Sequence, residues 1–499
     1  MARKFWAGAI AASLLSTTAA QALTADAVWA AWQKQYASYG FTVVTGEQSR
    51  AGDTLSLRDV QLSSKTGQDE LQLVVPEVRL REQGDGTVEV TLSREITGTS
   101  RSAPPAGEPM EMALHVTQTD AKAVVSGTED QMVYHLTAPV AVMDMQQVLP
   151  PTTEGATDLS KAAPMAMQVT ASGIEGNYRL GSAAGQQIDS DFTVKSVQMT
   201  LDSPNAGDGT SLKMRGDLAD LASHSNTFTP EGTSVEELGA ALAKGARASG
   251  SAKYGVSTWM VETTGEKGVT TLNGSAESGD LNMVLAPDAF RYGGTSTAAK
   301  VKVQMPGMPM PFSADLAAAQ FDVSLPMRKS DTPEPFLGKL NLSELRLSDE
   351  VWGLFDPEAK LPRTPATLTL DIGGTAHPLL DLFSPEAAQE QGLPLRFDTV
   401  TLNKLQLIAA GADLSGAGAV SFDNAAEPPM PEGSVDLRLA GANGLMDNLA
   451  ALKLVPQDQM MFVRMMLGLY AVPAGDDLYT SKIEFKSGGE ILANGQRIR

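Results

Sequence analysis

Leu55-Ser-Leu57-Arg-Asp-Val60-Gln-Leu62 decides how this chain is read, because its apolar residues fall at offsets 0, 2, 5 and 7. Side chains alternate faces along a β-strand, so offsets 0 and 2 share a face and the odd step to 5 would send the second pair to the other face. All four residues reach one core only if the strand bulges or bends sharply after Leu57. The pattern returns at Phe192, Val194, Val197, Met199, at Leu340, Leu342, Leu345, Leu347, and at Val400, Leu402, Leu405, Leu407. The expectation is large twisted antiparallel sheets whose repeated strands carry a bulge or bend at each copy. Ordinary half-buried strands converging on the same pattern are the plainer alternative.

Outward from these copies, Thr/Val/Leu-rich segments alternate apolar and polar and are punctuated by turn pairs such as Asp85-Gly86 and Asp208-Gly209. Such punctuation reads as hairpins. Leu71, Leu73, Val75, Val78 and Leu80 precede the Asp85-Gly86 turn, and Val88, Val90 and Leu92 follow it. Pro-rich stretches at 104–109, 150–164, 306–311 and 428–431 read as loops or strand ends, since proline cannot donate to a ladder. The fold class is therefore mainly β with a few helices (α+β).

Three helical passages are expected. Thr24 is placed to N-cap a leading helix, Asp26 sits in its first turn, and Gly40 can end it in the left-handed region. Trp29, Trp32 and Tyr36 then share one face, which is either core or a ligand platform, with core the preferred reading. Ser234 with Glu237 forms a capping box ahead of Leu238, Ala241 and Leu242. Near the C-terminus, Leu445, Leu449 and Leu452 mark one helix, and a second opens at Pro456 with Met461, Met465, Met466 and Leu469 along one side. A last strand pair follows through Ile483, Phe485 and Ile491. Four segments result: residues 1–22, a β-rich half with its leading helix over 23–232, a connecting helix over 233–249, and a second β-rich half over 250–499 with a helical hairpin near 444–471.

Residues 1–22 read as a cleavable secretory signal. Arg3 and Lys4 supply the positive region, Phe5 to Leu15 the short apolar run, and Ala20-Gln21-Ala22 the small-x-small site, with cleavage after Ala22. No later apolar run approaches the roughly 20 residues a spanning helix needs, so no transmembrane anchor is expected. The chain has no cysteine for a lipoprotein anchor or a disulfide. The expected address is the periplasm.

The formal net charge is −21. Phosphate binding needs a basic footprint, so nucleic acid is not an expected partner. His115, His135, His224 and His377 are far apart, with no second ligand at metal-binding spacing. Neither a G-x-S-x-G elbow, a G-x-x-x-x-G-K-[ST] loop nor a helix-opening G-x-G-x-x-G is present. No catalytic residue and no cofactor are expected. A carboxylate-dependent hydrolase is the enzymatic alternative. Met305, Met308 and Met310 crowd one Pro-rich turn and are the metal candidate, as thioethers suit Cu(I), against the plainer reading of a turn resting on the sheet.

From Leu345-Arg-Leu-Ser-Asp-Glu-Val-Trp352 through Asp356-Pro to Thr-Leu-Thr-Leu-Asp371, the sequence resembles a family of exported alphaproteobacterial proteins called domain of unknown function 2125. Leu402-Asn-Lys-Leu-Gln-Leu, Gly433-Ser-Val-Asp-Leu-Arg-Leu and Asn494-Gly495 extend the resemblance to the tail. It implies a compartment and fold relatives but no catalytic residues. The strand-rich tail with its helix pair also resembles the C-terminal regions of AsmA-type envelope proteins, which are associated with lipid handling. Those proteins usually carry a membrane anchor at the N-terminus, where this chain has a cleavable signal. The functional expectation is a non-enzymatic binding or scaffolding protein for a lipid or other hydrophobic ligand, with Trp29, Trp32, Tyr36, Met461, Met465 and Met466 as candidate ligand contacts. An interaction module that binds an envelope protein and no small ligand is the alternative.

Overall fold

The computed structural model describes residues 22–498 except 68, 103–108, 150–163, 182–184, 205–208, 234–237, 385, 388–391, 393 and 426–428. The expected signal as far as Gln21, the prolines at 104–105 and 150–151, Asp208 and the Ser234/Glu237 pair lie outside the described residues. Helix α1 (Ala25–Ser38) leads into β1 (Thr42–Ala51), β2 (Thr54–Thr66), β3 (Asp69–Glu82), β4 (Val88–Leu92), β5 (Glu95–Ser102), β6 (Met110–Thr119), β7 (Lys122–Thr128) and β8 (Gln131–Val148). Next come β9 (Ala166–Gly181), β10 (Gln186–Ser203), β11 (Ser211–Thr229) and the short helix α2 (Leu238–Ala243). After it follow β12 (Arg247–Tyr254), β13 (Ser257–Gly265), β14 (Gly268–Ala276), β15 (Ser278–Leu285), β16 (Ala289–Gln304), β17 (Phe312–Pro326) and β18 (Glu334–Leu347). Helix α3 (Asp349–Phe355) precedes β19 (Ala366–Pro378), β20 (Leu395–Ala409), β21 (Ala412–Asp423) and β22 (Met430–Ala440). Helices α4 (Ala442–Ala451) and α5 (Gln457–Tyr470) form a hairpin before β23 (Val472–Gly475), β24 (Leu478–Phe485), β25 (Ile491–Ala493) and β26 (Gln496–Arg497).

Every pairing is antiparallel, and the strands join into one meandering sheet. Four of its rungs are each built from two short strands end to end. Thus β4 and β5 both pair with β3, β7 and β6 with β8, β12 and β13 with β11, and β15 and β14 with β16. Because β11 pairs with both β12 and β13, the sheet continues across residues 233–249.

The breaks and bends line up as one crease. Asp59 of β2 (φ 51°) stands beside Gly46 of β1 and opposite Pro76 of β3, all three skipped by the register. Further along, Gly173 (φ 62°), Lys195 and Asp220 (φ 50°) are skipped side by side in β9, β10 and β11. Ala298 (φ 49°), Ala317 and Glu344 (φ 54°) repeat the arrangement in β16, β17 and β18. A left-handed non-glycine residue costs about 1–2 kcal/mol, and here each one resets the face parity of its strand, so apolar residues on both sides of the crease face the same way. The four sequence copies all sit on such irregularities. In the first two, neighbouring strands bend in step. In the last two, the register slips between Leu342 and Leu345 against β19 and between Leu402 and Leu405 against β21.

Main-chain groups freed at the crease find side-chain partners. Gln118 donates its amide to the carbonyls of Leu92 and Ser93 (3.0 and 3.2 Å) and accepts from Ala121 N (2.7 Å), bridging the gap between β4 and β5. An unsatisfied buried amide would cost about 1–3 kcal/mol.

The main core lies at the α1 end. Thr24 caps α1 through Ala27 N (3.2 Å), and Glu82 accepts from Ala25 N (2.9 Å) while pairing with Arg50 (3.1 Å). Gly40 adopts φ 79° beyond the helix, as its position predicts. Val28 and Trp29 pack with Leu55 and Leu57 from one side of the crease and with Val60 and Leu62 from the other. Both halves of the sheet therefore fold toward α1, and the crease makes the sheet a trough.

Candidate functional site: an open apolar channel

The cross-strand register carries the apolar face of this core well beyond α1. On one flank of the crease, Ile188 of β10 lies opposite Leu180, Leu281 and Met283 of β15 oppose Ala252 and Gly250, and Phe290 and Tyr292 of β16 oppose Leu325 and Val323. Leu340 and Leu342 then face Leu370 and Leu368, which face Leu405 and Leu407. Leu414 and Leu439 continue the row to Tyr479 of β24. Thirteen rungs, separated by twelve spacings of about 4.8 Å, give a path of roughly 58 Å. Across β9–β17 no inward position carries a charged side chain.

The other flank is rich in methionine. Met145 lies directly opposite Met167, which faces Leu201, which faces Met214, while Met143 leads through Val169 to Met199. These residues are half-buried. Thioether chains are flexible and polarizable, so this surface adapts to varied apolar shapes.

Large inward rings lie down over glycines of the next strand. A Cβ on Gly274 would sit 2.1 Å from the Trp259 ring, one on Gly176 2.2 Å from Phe192, and one on Gly279 2.4 Å from Cζ of Tyr254. Each ring thus occupies the space of a missing side chain and leaves the channel above it clear. Among the described residues, no layer closes over the middle of this face: Trp259, Leu281, Tyr292 and Phe312 are 36–38% exposed. One rim is overhung by residues 379–384, where Phe383 meets Phe290 edge-on at 6.5 Å.

The opposite face is a polar ladder. Asp191 accepts from Arg179 and faces His224 Nδ1 at 2.9 Å, and this histidine, then the arginine, holds its carboxyl below the usual range. The recess lined by Asp144, Gln168, Gln198, Lys213 and Asp217 belongs to the same ladder. Among the described residues, no three His, Asp or Glu side chains are arranged to hold a metal ion.

The candidate contacts separate into two groups. Trp29 is buried, and Trp32 and Tyr36 pack against the same core. Trp32 stacks on Tyr134 (6.4 Å, 29°), whose hydroxyl burial pushes up to about 12. The aromatic stripe is core, and it plugs one end of the channel beside a cleft of about 400 Å³ lined by Ala27, Ala31, Lys34, Met132 and Leu180. Met461 and Met465 stand at the far end on the outer side of α5, 71% and 59% exposed, with Met466 half-buried. Met305, Met308 and Met310 lie on the turn between β16 and β17, closed by Met308 N donating to Met305 O.

The channel methionines and the floor glycines escaped sequence reading. Met110-Glu-Met112, Met143-Asp-Met145 and Met165-Ala-Met167 are period-2 methionine pairs, a signal that would have found the first of them. Helix α3 was also missed. Ser348 caps it through Val351 N, and the buried Asp356 that follows accepts from Lys360 N and Leu361 N (2.8 and 2.9 Å).

Residues 219–492 match the family model DUF2125, "Uncharacterized protein conserved in bacteria". No curated protein matches the sequence. The match spans more than half of the 499 residues, and the chain belongs to this family.

Proposed function

We propose that this member of the DUF2125 family binds amphipathic lipids, their hydrocarbon tails lying along the apolar channel and their head groups in water. The observation that carries the reading is the uncharged inward face of β9–β17, continuous across the crease and uncovered in its middle. Exposed apolar surface of this extent on one face of an otherwise polar sheet marks a binding surface. A bilayer's hydrocarbon core is about 30 Å thick, so one tail occupies about 15 Å and a path of roughly 58 Å holds several in series. Such a surface suits carriage along a path better than storage in a pocket. The methionine flank adapts to tails of different shape, and the absence of inward charges leaves the head group unselected.

The periplasm belongs to the same proposal, on the strength of the charged, apolar and small-residue segments of residues 1–22. The decisive experiment extracts the purified protein and identifies bound molecules by mass spectrometry, alongside uptake of a fluorescent phospholipid. Bound lipid and saturable uptake are expected. Neither above background overturns the reading, and a stable protein partner without lipid would favour a scaffolding role.

A further inference from the structure

Helix α5 is apolar on two sides. Met460 and Leu467 pack with α4 and with Leu439 and Tyr479, the inward residues at the last rungs of the channel. On the remaining surface, Met461, Phe462, Met465 and Leu469 are 71%, 57%, 59% and 49% exposed, and Leu454 and Val472 extend the patch beyond both helix ends. A helix that is apolar around its circumference is normally covered around its circumference.

We propose that the outer face of α5 seats in the hydrocarbon boundary of a bilayer with zwitterionic head groups and thereby brings the end of the channel to the membrane. This rests on the lipid-binding reading of the channel. Three observations select a bilayer over a protein partner. The hot spots that hold protein interfaces together are enriched in Trp, Tyr and Arg, and this exposed patch of Met, Leu, Val and one Phe offers none of the three. The helix's one arginine, Arg464, is paired with Asp447 on α4. The patch also backs directly onto the channel, where cargo has to enter or leave. Membrane-surface helices that select anionic lipid carry Lys and Arg on their polar face. Here Asp458 and the paired Arg464 are the only charges on the helix, which points to neutral head groups.

The test is flotation of the full chain with phosphatidylcholine vesicles, compared with the Met461→Glu/Phe462→Glu/Met465→Glu variant. The wild type is expected to float, the variant to lose at least tenfold, and 0.5 M salt (an order-of-magnitude screening condition) to change neither. A Phe462→Trp variant should shift its emission to the blue on adding vesicles. Failure of the wild type to float, equal flotation of the variant, or a concentration-dependent dimer that the variant abolishes would overturn the proposal. Uptake of phospholipid from detergent solution separates the two readings. If uptake persists without vesicle binding, only α5 docking fails; if vesicles bind and no lipid is taken up, the channel reading fails.

Discussion

Trp259 of β13 lies flat across Gly274 of β14, so close that a Cβ on Gly274 would stand 2.1 Å from its ring. The pair sets how deep the channel is at that rung. Gly274→Ala should lift the ring into the channel, cost about 1–3 kcal/mol through overpacking, and reduce lipid uptake. Adding Trp259→Ala should recover most of both losses. Urea melts and uptake assays on the double-mutant cycle would refute the relationship if the two substitutions simply add.

The methionine flank predicts a functional defect without unfolding. Met199 is half-buried on an uncovered face, so Met199→Asp places a charge where tails would lie while leaving the side chain access to water. Burial of an unpaired charge beneath hydrocarbon costs several kcal/mol, and uptake should fall at least tenfold with little change in the urea midpoint. Unaltered uptake would show that tails do not use this flank.

Trp29 is 6% exposed and joins both halves of the sheet at the α1 core. Trp29→Ala should destabilise the protein by about 3–5 kcal/mol. Chemical denaturation measures this, and a loss below 1 kcal/mol would mean that α1 is not the anchor of this end.

Glu82 links stability to pH. Its carboxyl is held below the ordinary range by the hydrogen bond from Ala25 N and then by Arg50. A depressed folded-state value contributes stability above the unfolded value, about 4.3 for glutamate, and that contribution disappears as pH falls through the folded value. Glu82→Gln should therefore lower stability at pH 7 and flatten the decline below about pH 4.3. Parallel acid titrations of the two proteins would contradict the linkage.

The crease predicts a sign reversal at one position. Asp59 has φ 51°, where glycine is at ease and a β-branched residue is strained. Asp59→Gly should be neutral to about 1 kcal/mol stabilising, and Asp59→Val about 1–2 kcal/mol destabilising. Thermal melts yielding the opposite order would dismiss the conformational account.

Much of this architecture is legible in residue spacing. The odd step from Leu57 to Val60 announces the crease, and Thr24, Asp26 and Gly40 bound α1, because these signals act within a few residues. Pro456 marks α5, although it serves as the N-cap and Gln457 begins the helix. Less local properties stay hidden. Whether the apolar face is covered depends on how far successive hairpins stack, which no single strand encodes. The floor glycines matter only through rings on neighbouring strands. The seven residues of α3 are too few to establish a 3.6-residue period. For α5, the sequence marks a methionine side but not that Met460 and Leu467, rather than Met461 and Met465, pack inward.

Because each rung from β8 to β11 carries its own kink at the same height, no rung depends on a distant one for its shape. The trough is consequently modular. Excising one complete hairpin removes two rungs, shortens the path by about 10 Å, and leaves strands of matching profile to meet across the cut. Length becomes a quantity that whole-hairpin insertion or deletion can ratchet up or down, so reach can evolve separately from the chemistry of the lining.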